Sequence, residues 1–320
     1  MTTQATTDNA QLAKIHSLRF GFEIEIYGLG FEGTARAIQT GLSNAGIDST
    51  RYNDSSNYAN RMAHGQNAVR QADGRVWRAV YDGSLARRSA AEVVSPVLRY
   101  TDMPALQEVI RAIRAAGGKV DTAEGGMHVH VDGAEFLASP KAISNLVKLT
   151  NQQEDLIRLA IGANSLRARW ARPVSQDFLA AIERNRGRSI SSIRSAWYET
   201  QAPYDRESNH YNNSRYRGVN LHSLFNGCGT VEFRYFDATL HAGKVKSYIQ
   251  FCLAIAAKAL LARSASSRKR TVRNGNTKYA FRTFLLRLAL IGDEFKSCRL
   301  HLMKNLSGSA AWSDPRDAAR

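Results

Sequence analysis

The sequence predicts an α+β fold on three observations. Residues 18–27, 127–132 and 230–236 alternate apolar and ionisable side chains with the two-residue period of half-buried strands. Helical patterns, with apolar positions three and four apart, run between and after them. The composition is that of a packed chain: 43% of the 320 residues are hydrophobic, and Gly and Pro, at 23 and 6, are too few for disorder or a fibrous repeat.

The elements follow in order. Residues 1–17 are polar, lack the apolar run of a secretory signal and read as a disordered tail. In 18–27, Phe20, Phe22, Ile24 and Ile26 share one strand face, and Gly21, Glu23 and Glu25 the other. Thr34 is expected to cap a short helix with Ala35, Ile38 and Leu42 inward. Residues 48–71, rich in Asn, Ser and Arg, read as a long loop. Strands at 76–81 and 91–94 are joined through Asp82-Gly83-Ser84. Pro104 opens a helix that buries Leu106, Val109, Ile110 and Ile113 and stops at Gly117-Gly118. The strand at 127–132 sets Met127, Val129 and Val131 against His128, His130 and Asp132, and Ser139-Pro140 starts a long helix after it. Residues 167–217 are Arg-rich with short helical patterns. In 230–236, Val231, Phe233 and Tyr235 oppose Glu232, Arg234 and Phe236. An apolar helix at 242–261 closes a unit expected over 18–262. Beyond it, 263–277 reads as a basic linker, 278–306 as a helical appendage and 307–320 as a polar tail.

Lys and Arg outnumber Asp and Glu by 44 to 28, and the net charge of +16 attracts polyanions, nucleic acid and nucleotide phosphates alike. The most apolar stretch, 251–262, is broken by Lys258 and too short to span a bilayer. Cys228, Cys252 and Cys298 are odd in number and form no CxxC, which argues against a disulfide framework or zinc knuckle and points to the cytoplasm. They read as core fillers, because none has a recognisable partner.

The chemistry lies in what the three strands share. Each carries ionisable groups on one face: Glu23 and Glu25, His128 and His130, Glu232 and Arg234. If the strands join one sheet, those faces form one charged surface, which Asp82 and Glu92 can join. Close carboxylates repel and are normally held by cations. Oxygen-rich ligand sets suit magnesium or manganese, whereas a closed zinc site lacks a third nitrogen or sulfur ligand. The plain alternative is a solvated outer face, although such faces usually carry Lys, Thr and Ser. Gly28-Leu-Gly-Phe-Glu-Gly33 matches GxGxxG, but a dinucleotide-binding first strand is buried on both faces and this one carries two glutamates, so the match reads as a turn.

Taken together, Phe20-Gly-Phe-Glu-Ile-Glu25, Asp82-Gly-Ser-Leu with Glu92-Val-Val-Ser-Pro96, Gly125-Gly-Met-His-Val-His-Val131, Arg217-Gly-Val-Asn-Leu221 and Thr230-Val-Glu-Phe-Arg-Tyr-Phe236 resemble the amidoligases of the carboxylate-amine ligase superfamily, relatives of glutamate-cysteine ligase and glutamine synthetase. The resemblance implies a glutamine-synthetase-like antiparallel sheet, its concave polar face holding ATP and Mg2+ or Mn2+, with helices on the convex face. It implies activation of a carboxylate as an acyl phosphate and attack by an amine. Carried over position by position, Glu23, Glu25, Asp82, Glu92 and Glu232 look like metal ligands, and His128 or His130 like a ligand or nucleotide contact. Arg234 looks like the cation facing the transferred phosphoryl group, and Arg217 and Asn220 like substrate or phosphate contacts. No Walker-type motif is present, so an ATP site here is of another kind. The acceptor stays open among small molecules, peptides and proteins.

Two rival classes use the same residues differently. A metal-dependent nuclease or phosphoesterase would employ the carboxylates and histidines on a nucleic acid drawn by the charge. A non-enzymatic nucleic-acid-binding protein would rely on runs such as Arg184-Asn-Arg-Gly-Arg188 and Arg268-Lys-Arg270, though a basic run is usually a solvated face. Metal-dependent ATP turnover separates the ligase from both.

Overall fold

In the computed structural model, which describes residues 2–313 apart from 84, 86–88, 123–124, 163–167, 186–187, 271 and 273–274, the first alternating segment becomes strand β1 (Phe20–Ile26). It lies inside an antiparallel sheet with β2 (Ser49–Tyr52), β3 (Ala68–Gln71), β4 (Val76–Val80), β5 (Ala91–Val94), β6 (Gly126–Asp132), β7 (Val219–Asn220) and β8 (Thr230–Asp237). The strand order is β2-β3-β4-β5-β1-β6-β8-β7. The alternation dictates the layering: Phe20, Phe22 and Ile24 are fully buried, as are Met127, Val129, Val131, Val231 and Phe233. Helices α2 (Gly30–Asn44), α6 (Pro140–Ile161) and α10 (Ala242–Leu261) pack against the strands, α4 (Met103–Ala115) packs on α2 and α10, and all share one hydrophobic core with the sheet. Ser139 caps α6 by accepting from the Ala142 N–H, and Pro104 sits in the first turn of α4, where its missing N–H costs nothing. Because β1 runs antiparallel to both neighbours, Gly28 and Gly30, at φ of 98° and 63°, serve a tight strand-to-helix turn and no βαβ nucleotide fold.

Several expectations change. Thr34 lies inside α2, which begins at Gly30, and its hydroxyl donates to the Gly30 carbonyl (2.5 Å). Residues 48–71 hold β2, β3 and α3 (Tyr58–Met62), because two short strands of polar composition are held by the ladder, β2 on β3 and β3 on β4, rather than by an apolar period. In β8, Met127 pairs with Phe236 but Val129 with Phe233, so Arg234 and Tyr235 together oppose His128. This bulge turns Phe236 from the polar to the core face, where it stacks on Tyr248 of α10 at 4.4 Å.

The ends also differ from expectation. Residues 1–17, expected as a disordered tail, carry helix α1 (Thr2–Ser17), which packs on α10 and buries Ile15 and Gln11. The stretch expected as a basic linker, 263–277, runs along α6: Asn151 donates to the Ser267 carbonyl (2.9 Å), and the Arg270 N–H to that of Gln152 (3.1 Å). The expected appendage, α11 (Thr277–Arg287) and α12 (Lys296–Leu302), contributes Phe281, Phe284, Leu285 and Cys298 to the same core as the sheet. Among the described residues, no helix is long and apolar enough to cross a membrane.

Candidate active site

The strand register assembles the site. Glu23 stands opposite His128, Glu25 opposite Glu92, His130 opposite Glu232, and Asn220 opposite Glu232. Five strands, β5-β1-β6-β8-β7, thus place their polar side chains on the face away from the apolar core. This is no solvated outer face: Glu25, His128, His130, Glu232 and Arg234 are each less than a tenth exposed. Burial of that many ionisable groups is costly unless each charge is matched.

Two candidate ligand groups share Glu92. Glu23, Glu92 and His128 bring ligand atoms within 4.8 Å of one another, and so do Glu25, Asp82 and Glu92. Ser84, in the segment joining Asp82 towards β5, lies outside the described residues. Glu25 is held by the Gly126 N–H, which donates to its Oε2 (2.7 Å). Burial, with the negative charges of Glu23, Asp82 and Glu25, pushes the Glu92 carboxyl well above its usual range. Glu23 goes the other way: burial raises it, but His130 and His128 outweigh that and hold it well below the usual range. His128 Nδ1 lies 3.5 Å from Glu23 and 3.6 Å from Glu232, so one imidazole bridges the two carboxylates.

At the far side, Glu232 pairs with Arg234 on its own strand and accepts from Asn220 Nδ2 (2.6 Å). Burial raises this carboxyl, and Arg234, His130 and His128 reverse the effect, leaving it at about 2. Both carboxylate oxygens are thereby engaged, and neither three-residue ligand group includes Glu232. Asn220 in turn accepts from the His222 N–H (2.8 Å), and His222 meets the Tyr198 hydroxyl at 2.8 Å. Arg217 is placed elsewhere: its guanidinium donates to the carbonyls of Pro173 (2.9 Å) and Gln201 (3.2 Å). Burial, then Arg172, lowers it to about 10. In this arrangement it ties the Arg-rich segment to β7.

Cys228 is the residue the sequence reading missed. Cys252 and Cys298 are buried fillers as expected, but Cys228 is exposed, with its sulfur 3.9 Å from His130 Nδ1 and 3.1 Å from Thr230 Oγ1. Partial desolvation of the sulfur by its neighbours raises the thiol, although the residue is exposed; His130, Ser223 and Thr230 more than offset this and leave it at about 7. Its one sequence signal is a position between two glycines at the entry to a strand, while its imidazole partner lies far away in the chain.

Among curated proteins, none matches this chain. Among solved structures, it is similar to a bifunctional glutathione synthetase from Pasteurella multocida at 11% identity and a TM-score of 0.40. That likeness covers 93% of this chain and 48% of the other, so the chain spans about half the length of that protein. Residues 16–256 match the family described as "Putative amidoligase enzyme", a span that includes every strand of the sheet and every residue of both ligand groups. With that match running over most of its 320 residues, the chain belongs to this amidoligase family.

Proposed function

We propose that this protein is an ATP-dependent ligase that joins a carboxylate to an amine through an acyl phosphate. The observation that carries the reading is the pair of ligand groups sharing Glu92 on a buried sheet face, with Arg234 beside them. The donor set fits hard divalent cations: it is oxygen-rich, and the crowding of Glu92 by burial and by the charges of Glu23, Asp82 and Glu25 is the kind of repulsion a cation would relieve. Glu23, Glu92 and His128 would hold one ion and Glu25, Asp82 and Glu92 another, and bound Mg2+ supplies charge neutralisation at the nucleotide phosphates.

The chain's own residues do the rest. Phosphoryl transfer asks for positioning and fixed charge rather than a covalent nucleophile. Arg234 is buried and aligned by Glu232, so its guanidinium presents a fixed fork to phosphoryl oxygens. Asn220 orients Glu232, and His128 spans Glu23 and Glu232. His130 pairs with Glu23 at 3.2 Å and so fixes a carboxylate of the first ligand group. Three free thiols suit a reducing cytoplasm.

The test is Mg2+-dependent ADP release, screened over pools of amino acids, polyamines and peptides. Release that requires both a carboxylate and an amine supports the ligase. A folded protein that releases no ADP with any pool, yet cleaves phosphodiesters with Mg2+, overturns it in favour of a nuclease.

A further inference from the structure

The Arg-rich segment before β7 takes no part in the carboxylate chemistry, yet the fold gathers it into one surface. Residues 170–173 run beside the chain that leads into β7. The Arg172 N–H donates to the Tyr216 carbonyl (3.0 Å), the Gly218 N–H donates to that of Arg172 (2.9 Å), and Arg172 stands opposite Arg217 in a parallel bridge. On that frame rings and guanidinium groups form an unbroken series. Arg169 lies over Trp170 at 5.0 Å, and Trp170 meets Tyr216 edge-on at 4.9 Å. Arg215 lies 5.9 Å from the Tyr216 ring and 5.6 Å from that of Tyr211, which meets His210 at 4.9 Å. The tract faces solvent: Arg169, Arg172 and His210 are exposed, and Tyr211 is 69% exposed. Its arginines also lack counter-charges. Among the described residues, none of Arg169, Arg172, Arg215 and Arg217 pairs with a carboxylate. The two acids of residues 202–217 are engaged elsewhere, Glu207 with Arg194 (3.0 Å) and Asp205 with the Asn213 N–H and side-chain amide (2.7 and 2.8 Å).

We propose that this tract binds single-stranded nucleic acid, with the arginines holding phosphates and the rings of Tyr211, Tyr216 and Trp170 stacking on bases. Four guanidinium groups without carboxylate partners, in a chain of net charge +16, call for a polyanion. The rings narrow the class. Carboxylates of an acidic peptide would use the arginines and leave the ring faces uncovered, whereas bases offer flat partners to both rings and guanidinium planes. A duplex keeps its bases stacked on one another and presents only their edges, so the strand is single. The Gly218 carbonyl that follows Arg217 accepts from the Arg234 N–H (2.9 Å). The tract therefore lies two strand spacings, about 10 Å, from the strand that carries Glu232 and Arg234, and a bound strand runs along the edge of the carboxylate face. This surface stands independently of the ligase reading.

Fluorescence anisotropy of the full chain with a fluorescein-labelled oligouridine of about 12 nucleotides, without ATP, is the test. Oligothymidine of the same length is run alongside; binding of either strand supports the proposal, and the tighter one identifies the sugar. Arg169→Ala combined with Arg172→Ala should weaken binding at least about tenfold and lower the slope of log K against log salt by about 1.4, at about 0.7 per phosphate contact. Tyr211→Ala should weaken binding about 5- to 100-fold with the slope unchanged, and Tyr211→Phe should restore it, because the ring does the stacking. Near-UV circular dichroism checks that each variant is folded. The control removes the same two charges from exposed positions of α4, as Arg111→Ala with Arg114→Ala, and should change affinity by less than about threefold. No binding of either strand at about 50 mM salt overturns the proposal, as does an equal loss in the control pair or a folded Tyr211→Ala protein that binds normally. Competition by oligoglutamate as strong as that by unlabelled oligouridine would make the partner an acidic peptide, and equal binding of an RNA duplex would remove the role of the rings; either result also overturns it. The ligase reading is tested apart from these outcomes, by ADP release.

Discussion

Glu92 is the carboxylate with most to gain from a cation, since three other acids surround it and burial adds to their effect. Its folded-state pKa lies above the ordinary value of 4.5, so the metal-free protein loses stability as pH rises through that window. A divalent ion removes this penalty, so the rise in Tm on adding Mg2+ should be larger near about pH 8 than near about pH 5. Scanning calorimetry at both values measures it, and an equal rise would place the ion elsewhere. Glu92→Gln should stabilise the metal-free protein by about 1 kcal/mol, a few degrees in Tm, while abolishing the Mg2+ effect. Arg234 divides two roles by a pair of substitutions. Arg234→Lys keeps a charge beside Glu232 but loses the fork, so nucleotide binding should persist while ADP release falls by about 10² to 10³. Arg234→Ala strips the buried Glu232 of its guanidinium, leaving Asn220 and the histidines to hold it, and should cost about 3–5 kcal/mol. Normal turnover in the Lys variant would leave Arg234 a structural counter-ion only.

The bulge in β8 decides what that strand presents. By opposing both Arg234 and Tyr235 to His128, it keeps Arg234 on the site face and sends Phe236 into the core. Tyr235 is anchored across the core: its hydroxyl donates to Glu154 Oε2 on α6 (2.7 Å), whose other oxygen accepts from Arg158 (2.7 Å). Burial raises Glu154, so loss of a donor there is not neutral. Tyr235→Phe should cost about 1–3 kcal/mol in urea denaturation, the scale of an unsatisfied buried acceptor. It should lower ADP release as well if the bulge positions Arg234. Gly218 is the complementary contact, since a Cβ there would meet the Tyr235 ring at 2.1 Å. Gly218→Ala would force the ring or β7 to move, with Asn220 two residues further along.

At the scale of the whole molecule, the sheet, α1, α11 and α12 share one core. Phe251 on α10 meets Phe281 at 5.9 Å and Phe284 at 6.2 Å between ring centroids, and those two rings lie 5.8 Å apart. Truncation after Ala262 strips that face from α10, the helix that also carries α1. The burial lost is comparable with a domain's net stability of about 5–15 kcal/mol. The shortened chain should therefore bind the dye ANS and lose near-UV circular dichroism. A shortened chain with native spectra and nucleotide binding would restore the view of residues 278–306 as an appendage.

The sequence by itself determined the strands with a two-residue period, the helices opened by Ser139 and Pro104, and the polar residues that meet on one face. Periodicity is a local property, so Glu23, His128 and Glu232 are legible as members of one polar face without knowledge of their partners. Tertiary structure alone decided three things. Register brought Glu92 between two ligand groups, the bulge chose the face of Phe236, and pairing across the sheet gave Cys228 its imidazole. It also drew the polar-looking N-terminal segment and the C-terminal helices into the core. Each depends on contacts between residues distant in the chain, whose free energy comes from burial and charge pairing that no local pattern encodes.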